Sequence, residues 1–119
     1  MLITDSAMSY VLADVIFVPY GEGGRIVMPV GSGYAPYLRS QFMSEDLAVR
    51  INNIPAGAQF GQVIRVAIEL TYYPAIDYGP LAEGVTIYLI EGPKVVARGN
   101  CRSSIIAGLK SGPQEDRKG

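Results

Sequence analysis

The chain contains 119 residues, of which 49% are hydrophobic and 18% are charged, a composition that predicts one folded domain and excludes general disorder. Its formal net charge is −1, which disfavours a protein whose main task is to hold phosphates. The sequence has no histidine and one cysteine, so it lacks the usual proton shuttle, the commonest transition-metal ligand and any internal disulfide. We therefore expect no enzyme activity, no catalytic residue, and no metal or cofactor site.

The N-terminal stretch MLITDSAMSYVLADVIFV is apolar, but it has no Lys or Arg and carries Asp5 and Asp14. We expect neither a signal peptide nor a membrane span there. Cys101 lies in a predicted strand, which favours a small buried residue in a reducing compartment such as the cytoplasm. A reactive thiol is the alternative for this residue.

The first third of the chain predicts two strands around a turn. Residues 12–19 form a strand in which Ala13, Val15 and Phe17 share one face, and Pro19 ends it because proline cannot donate to the ladder. Residues 20–25, YGEGGR, form a glycine-rich turn. A phosphate-cradling loop is the alternative, but no GK[ST] ending and no periodic helix follow. Residues 26–30 form a short strand that the next glycines end.

The middle of the chain predicts three further strands. Residues 34–42 and 47–51 are separated by a polar turn, in which Glu45 and Asp46 are solvated rather than a catalytic pair because neighbours on an extended chain point to opposite faces. Residues 52–61 are a loop, since Asn, Pro and Gly favour turns. In Val63–Leu70, apolar residues alternate with Arg and Glu, which is typical of a strand with one buried face.

The last third predicts a long loop followed by a hairpin. Residues 72–84 contain prolines and glycines that prevent a regular element. Residues 85–91 and 95–102 are strands joined at Gly92-Pro93, where glycine suits the first and proline the second central position of a type II′ turn. Short strands without a helical period predict a closed barrel or a sandwich, and six strands of this length fit a small barrel. We expect one domain over residues 1–108 and a flexible polar tail over 109–119.

Several short motifs occur in a fixed order: EGGR at 22–25, GSGYAP at 31–36, IELTYYP at 68–74, YGPLAEG at 78–84 and IYLIEGPKVVARG at 87–99. Their order and spacing over residues 13–101 resemble the C-terminal, third domain of translation elongation factor Tu. That domain shows a strand ending in a GGR turn, a GYRPQF segment, a strand closing on a proline, and a final hairpin. The resemblance implies an all-β fold, a six-stranded antiparallel β-barrel of Greek-key type.

In that family the third domain helps to bind aminoacyl-tRNA, contacts the nucleotide-exchange factor and packs against two sister domains. The chain has no GxxxxGK[ST] motif and no βαβ alternation, so we expect neither GTP binding nor GTPase activity. The Arg of the family's GYRP motif is Ala35 here. The second basic residue of the family's last hairpin corresponds to Lys94, which is also basic. Another arginine of the family falls at or near Gln41, and Arg39 lies two residues from that position.

These observations leave three functional hypotheses open. The first is a non-catalytic, stand-alone module that binds a protein partner through the tyrosine-rich loop, with Tyr72, Tyr73 and Tyr78 as contacts; packing at the barrel rim is the alternative role for these tyrosines. The second is an RNA- or tRNA-binding module whose phosphate contacts are Arg25, Arg39 and Lys94.

The third hypothesis is a small-ligand binder at the barrel mouth, which no group of residues in the sequence supports. The sequence leaves three assembly states open: a barrel that acts alone, a homo-oligomer formed through open strand edges, since an unpaired edge is a template for pairing with another chain, and a detached subunit of a larger assembly.

Overall fold

The computed structural model describes residues 8–31 and 33–108. Six strands form the molecule: β1 Tyr10–Phe17, β2 Tyr37–Ser40, β3 Leu47–Ile51, β4 Val63–Leu70, β5 Thr86–Glu91 and β6 Lys94–Cys101. They close into a barrel in the order β1-β4-β3-β2-β5-β6, and every pair is antiparallel. The predicted all-β, six-stranded antiparallel barrel is therefore confirmed. The Greek-key connection and the likeness to elongation factor Tu stay predictions, and the predicted tail at 109–119 lies outside the described residues.

Buried apolar side chains alternate with more exposed ones along the strands, and the buried ones fill the interior of the barrel. In β1 every second residue is fully or almost fully buried, and β4 repeats the pattern with Ile64, Val66, Ile68 and Leu70 inside. Removing a large aliphatic side chain from water contributes about 1.5–3 kcal/mol, so these inward rows supply much of the driving force for closure. The strand residues of the resulting core cluster are Val11, Ala13, Val15, Phe17, Leu38, Val49, Ile51, Ile64, Val66, Ile68, Leu70, Ile87, Leu89, Val96, Ala97 and Cys101.

Cys101 is confirmed as a buried core residue, because its side chain has no exposed area. Burial raises the pKa of its thiol to about 11, since the thiolate is disfavoured away from water. The thiol is therefore protonated at neutral pH, which is the opposite of what a reactive cysteine requires.

The β5–β6 hairpin has the predicted two-residue turn. Glu91 lies opposite Lys94, and Gly92 has a φ of 59°. Because the proline ring holds φ negative at Pro93, the pair has the signs of a type II′ turn. We call the end of the barrel that carries this turn the hairpin end. The opposite end, where Tyr10 pairs with Ile106 and the loop at 72–84 crosses, is the terminal end.

The strands predicted at 12–19, 85–91 and 95–102 are shifted at their ends by one or two residues, and two other predicted strands differ more. Residues 26–30 form no strand, so that prediction is wrong. The six strands pair with one another in a closed ring, which leaves no strand edge with which this segment could pair. The predicted strand at 34–42 is shortened to β2, with Tyr34 making only an isolated bridge to Ile51. β2 ends where the Ser40 hydroxyl accepts a hydrogen bond from the Phe42 backbone N–H at 3.2 Å, a local turn that competes with the ladder.

Closure of the barrel also bears on the expected oligomer. Each of the six described strands pairs with a neighbour on both sides, so none offers an open barrel edge to a second copy. Pairing of open strand edges therefore has no site on these strands, and the oligomeric state stays a prediction. Among the described residues, no helix is long and apolar enough to cross a membrane.

Candidate functional site: the hairpin end of the barrel

The glycine-rich turn after β1 fixes the position of Arg25. The Gly24 N–H donates to the Pro19 carbonyl at 2.9 Å, and the Arg25 N–H donates to the Val18 carbonyl at 3.1 Å. A Cβ on Gly24 would stand 1.8 Å from the Val18 carbonyl oxygen, which no side chain tolerates. The close approach of the two backbone segments therefore requires glycine and holds Arg25 against the end of β1.

Arg25 is the centre of a polar network beneath the hairpin. Its guanidinium forms an ion pair with the Glu91 carboxylate, its Nε donates to the Val27 carbonyl at 2.8 Å, and its Cζ lies 5.2 Å from the centre of the Tyr34 ring. The Tyr34 hydroxyl donates to the same carboxylate oxygen that Arg25 contacts. Glu91, at the end of β5, thus ties the turn after β1 and the segment before β2 to the hairpin.

Tyr34 keeps its proton and Arg25 keeps its charge at neutral pH. Burial raises the pKa of the Tyr34 hydroxyl, and its hydrogen bond to Glu91 raises that pKa further. Burial lowers the pKa of Arg25, but the hydrogen bond and the charge of Glu91 outweigh that effect and leave the pKa raised. Tyr34 is therefore a neutral donor and Arg25 a fixed cation, and Glu91 has its charge compensated within the protein.

A pocket of about 330 Å³ opens beside this network, lined by Gly24, Arg25, Ile26, Val27, Glu91 and Lys94. The Lys94 ammonium lies 5.3 Å from the centre of the Tyr20 ring. Within residues 8–31 and 33–108, no carboxylate lies at ion-pair distance from Lys94. The positive charge left over at this pocket is therefore that of Lys94.

The rim of the pocket is apolar and exposed. Ile26 is 77% exposed and Val27 is 62% exposed, and both follow Arg25 on the segment that was predicted to be a strand. Tyr20 and Val95, which flank Lys94 in space and in sequence, are also exposed. We define the hairpin-end surface as Tyr20, Ile26, Val27, Lys94 and Val95. Neighbouring exposed apolar side chains of this kind mark interaction sites, whereas single ones do not.

The RNA-binding candidates are only partly brought together. Arg25 and Lys94 line one pocket, but Arg25 is neutralised by Glu91. Arg39 lies on the barrel wall, opposite Tyr88 of β5, and its Nε is 2.7 Å from Oδ1 of Asp46. The predicted three-residue phosphate site is therefore not a single cluster.

Other arginines of the wall are also paired with acids. Arg65 and Arg102 both form ion pairs with Asp14, which holds the pKa of Asp14 below its usual value, chiefly through the hydrogen bond from Arg65. Pairing of this kind breaks up a basic stripe, the feature that phosphate-backbone binding requires.

The protein-binding candidates lie at the terminal end and have different environments. Tyr72 is 59% exposed, whereas Tyr78 is 1% exposed and Tyr73 packs partly against the core. The Tyr78 hydroxyl donates to the Ala48 carbonyl at 2.6 Å and accepts from the Tyr72 N–H at 3.1 Å. The prediction of Tyr78 as a surface contact is therefore wrong, because this tyrosine closes the barrel end with its polar tip satisfied inside.

A second surface pocket of about 270 Å³ is lined by Ile16, Val18, Pro19, Glu22, Phe60, Gly61 and Arg98. Typical small-molecule sites run from about 300 to 1,000 Å³, so one pocket lies just above the lower limit of that range and the other just below it. In the part of the chain that the structure describes, no group of three or more His, Cys, Asp or Glu side chains is arranged to hold a metal ion.

Sequence reasoning missed the part of the site that depends on distant contacts. Arg25 and Glu91 are 66 residues apart, and Tyr34 and Glu91 are 57 apart, so no local pattern connects them. The exposure of Ile26 and Val27 was also missed, because β-branched residues next to a turn favour a strand.

The comparisons with known proteins assign no family to the chain. No protein-family model matches the chain, and no curated protein matches it either.

Proposed function

We propose that the chain is a non-catalytic β-barrel module that binds a protein partner through the hairpin-end surface. The observation that carries the proposal is the exposure of two adjacent β-branched residues, Ile26 and Val27, at the pocket that Lys94 also lines. Interface cores are enriched in aromatic and apolar side chains and depleted of charge. Covering one such aliphatic side chain contributes about 1.5–3 kcal/mol, which is enough for a few residues to dominate affinity.

The polar network supports this role because it holds the surface rigid before a partner arrives. Arg25 contacts the Val27 carbonyl, the Tyr34 ring and Glu91 at once, so the segment that carries Ile26 and Val27 is anchored to the hairpin. A preorganised surface loses less conformational entropy on binding. Tyr72 is exposed at the terminal end and is a separate candidate contact, which the crosslinking experiment below compares with Val27.

RNA binding is the second candidate function, and one observation favours it. Lys94 lies over the exposed ring of Tyr20, and a cation beside an exposed aromatic ring suits a stacked base next to a phosphate. Under this hypothesis, Lys94→Glu weakens RNA binding and lowers the salt slope by about one unit. A descent from the third domain of elongation factor Tu is part of the same proposal. We further propose a cytoplasmic location, which a free buried Cys101 suits.

The test is affinity capture from the host lysate with the wild-type chain and two variants, each with and without RNase. Val27→Asp places a charge on the hairpin-end surface, whereas Val63→Asp makes the same change at a valine of matching exposure, 61%, on β4. We expect a protein captured by the wild type and by Val63→Asp, retained after RNase, and lost with Val27→Asp. Equal capture by all three chains, or capture that disappears with RNase, would overturn the proposal.

A further inference from the structure

We infer that the partner contributes an extended peptide segment in which a carboxylate side chain neighbours apolar residues, bound along Ile26–Met28 with the carboxylate at Lys94. The inference rests on the proposed protein-binding function and names the chemistry of the bound segment. Backbone pairing, apolar contact and charge each support it separately.

The backbone N–H groups of this segment have no described backbone acceptor, whereas the Val27 carbonyl already accepts from Arg25. Among the described residues, the N–H groups of Ile26, Val27 and Met28 donate to no backbone carbonyl, although the segment is bounded by paired groups at Arg25 and Gly31. Its sequence favours a strand, yet the closed barrel offers it no partner. Ile26 and Val27 form a bend and not an extended strand, so the carbonyls of a bound peptide supply the missing acceptors without a regular ladder, and its side chains determine specificity.

The charge at the segment selects an acidic peptide. Glu91 is the acidic side chain that lines the pocket, and one of its oxygens already accepts from both Arg25 and Tyr34. Lys94 lines the same pocket as the exposed Ile26 and Val27, and no described carboxylate lies at ion-pair distance from it. A carboxylate at Lys94 compensates that charge while neighbouring apolar side chains cover the two aliphatic residues, whereas a basic peptide is repelled.

A second copy of the chain matches this surface less well. Two copies related by a two-fold axis bring identical residues together, so each Lys94 would face a surface that offers another Lys94 rather than a free carboxylate. The charge therefore favours a different chain as the occupant.

The test starts from a phage-displayed library of random nine-residue peptides, selected on the full wild-type chain and counter-selected on Val27→Asp. We expect Asp or Glu next to Val, Ile, Leu or Phe in the enriched peptides. In the best peptide made synthetically, Glu→Gln (or Asp→Asn) should weaken binding about fivefold, the value of roughly 1 kcal/mol for a partly exposed ion pair. That difference should vanish with Lys94→Gln and persist with Arg50→Gln, which removes a positive charge elsewhere on the surface.

Amide chemical shifts of the labelled chain locate the bound peptide. The largest changes should fall on Ile26, Val27 and Met28, with slower hydrogen exchange at their amides. Enrichment of basic or uncharged peptides, no enrichment at all, or shifts centred on Tyr72 would each overturn the inference. If Val27→Asp abolishes capture of the native partner while the acidic preference is absent, the protein-binding function stands and only the peptide chemistry is wrong.

Discussion

Glu91 connects three parts of the chain that are distant in sequence. One carboxylate oxygen accepts from Arg25, which follows β1, and from Tyr34, which precedes β2, while the residue itself ends β5. The side chains of Arg25 and Glu91 are 23% and 33% exposed, so water screens the pair only in part. Removing the partner of Arg25 is therefore costly, because the uncompensated charge of this largely buried side chain stays in place.

Glu91→Gln tests this role at the level of one residue. Gln keeps the size and an acceptor oxygen but removes the charge, so we expect the free energy of unfolding to fall by about 1 kcal/mol, after allowance for solvent screening. Urea unfolding measures the change. Asp46→Asn is the matched control, since it removes the charge opposite the more exposed Arg39, and its loss should be smaller. Equal losses in the two variants would show that the Glu91 pair has no special role.

At the scale of elements, the strands could be predicted from the sequence and the segment between them could not. Val63–Leu70 has a period of two and is β4 without change, and the β5–β6 hairpin follows from the chemistry of Gly92-Pro93. Residues 26–30 have the composition of a strand, but a strand also needs a neighbour, and closure of the ring removes every free edge. Local propensity carries no information on that closure.

The candidate site, too, could be predicted from the sequence only in part. Arg25 and Lys94 were both named from the sequence and do line one pocket, whereas Arg39 was named with them and is ion-paired on the wall. Tyr78 was expected at the surface because tyrosine suits interfaces, but it suits a buried position equally when its hydroxyl finds partners, as it does here. The environment of each of these side chains depends on residues that are close in space, and the sequence alone does not show which residues those are.

Gly24→Ala tests whether the turn after β1 positions the segment that carries Ile26 and Val27. The added methyl would clash with the Val18 carbonyl, so the turn must move, at a cost of about 1–3 kcal/mol for a strained backbone. Gly21→Ala is a control in the same turn, since a Cβ there meets nothing within 4 Å. We expect a lower urea midpoint for Gly24→Ala and little change for Gly21→Ala. Similar midpoints for the two variants would contradict the close-approach argument.

For the whole molecule, exposed apolar side chains beside a lysine that pairs with no described carboxylate distinguish the hairpin end from the wall of the barrel. Several arginines on the wall are paired with acids, as Arg65 is with Asp14 and Arg39 with Asp46. At the hairpin end, apolar side chains stand beside Lys94, for which the described residues supply no acidic partner. Because Arg50 and Arg98 of the wall also form no ion pair among the described residues, it is the exposed apolar side chains beside Lys94 that make the hairpin end the proposed binding face, although the fold by itself specifies no function.

Site-specific photo-crosslinking in the host lysate tests that central claim most directly. A photo-reactive residue is placed in turn at positions 27, 63 and 72, whose native side chains are 62%, 61% and 59% exposed. Because exposure is matched, differences in yield report where a partner binds. We predict a discrete protein adduct from position 27 that resists RNase, with none from positions 63 or 72. An adduct from position 72 alone, or one that RNase removes, would contradict the account.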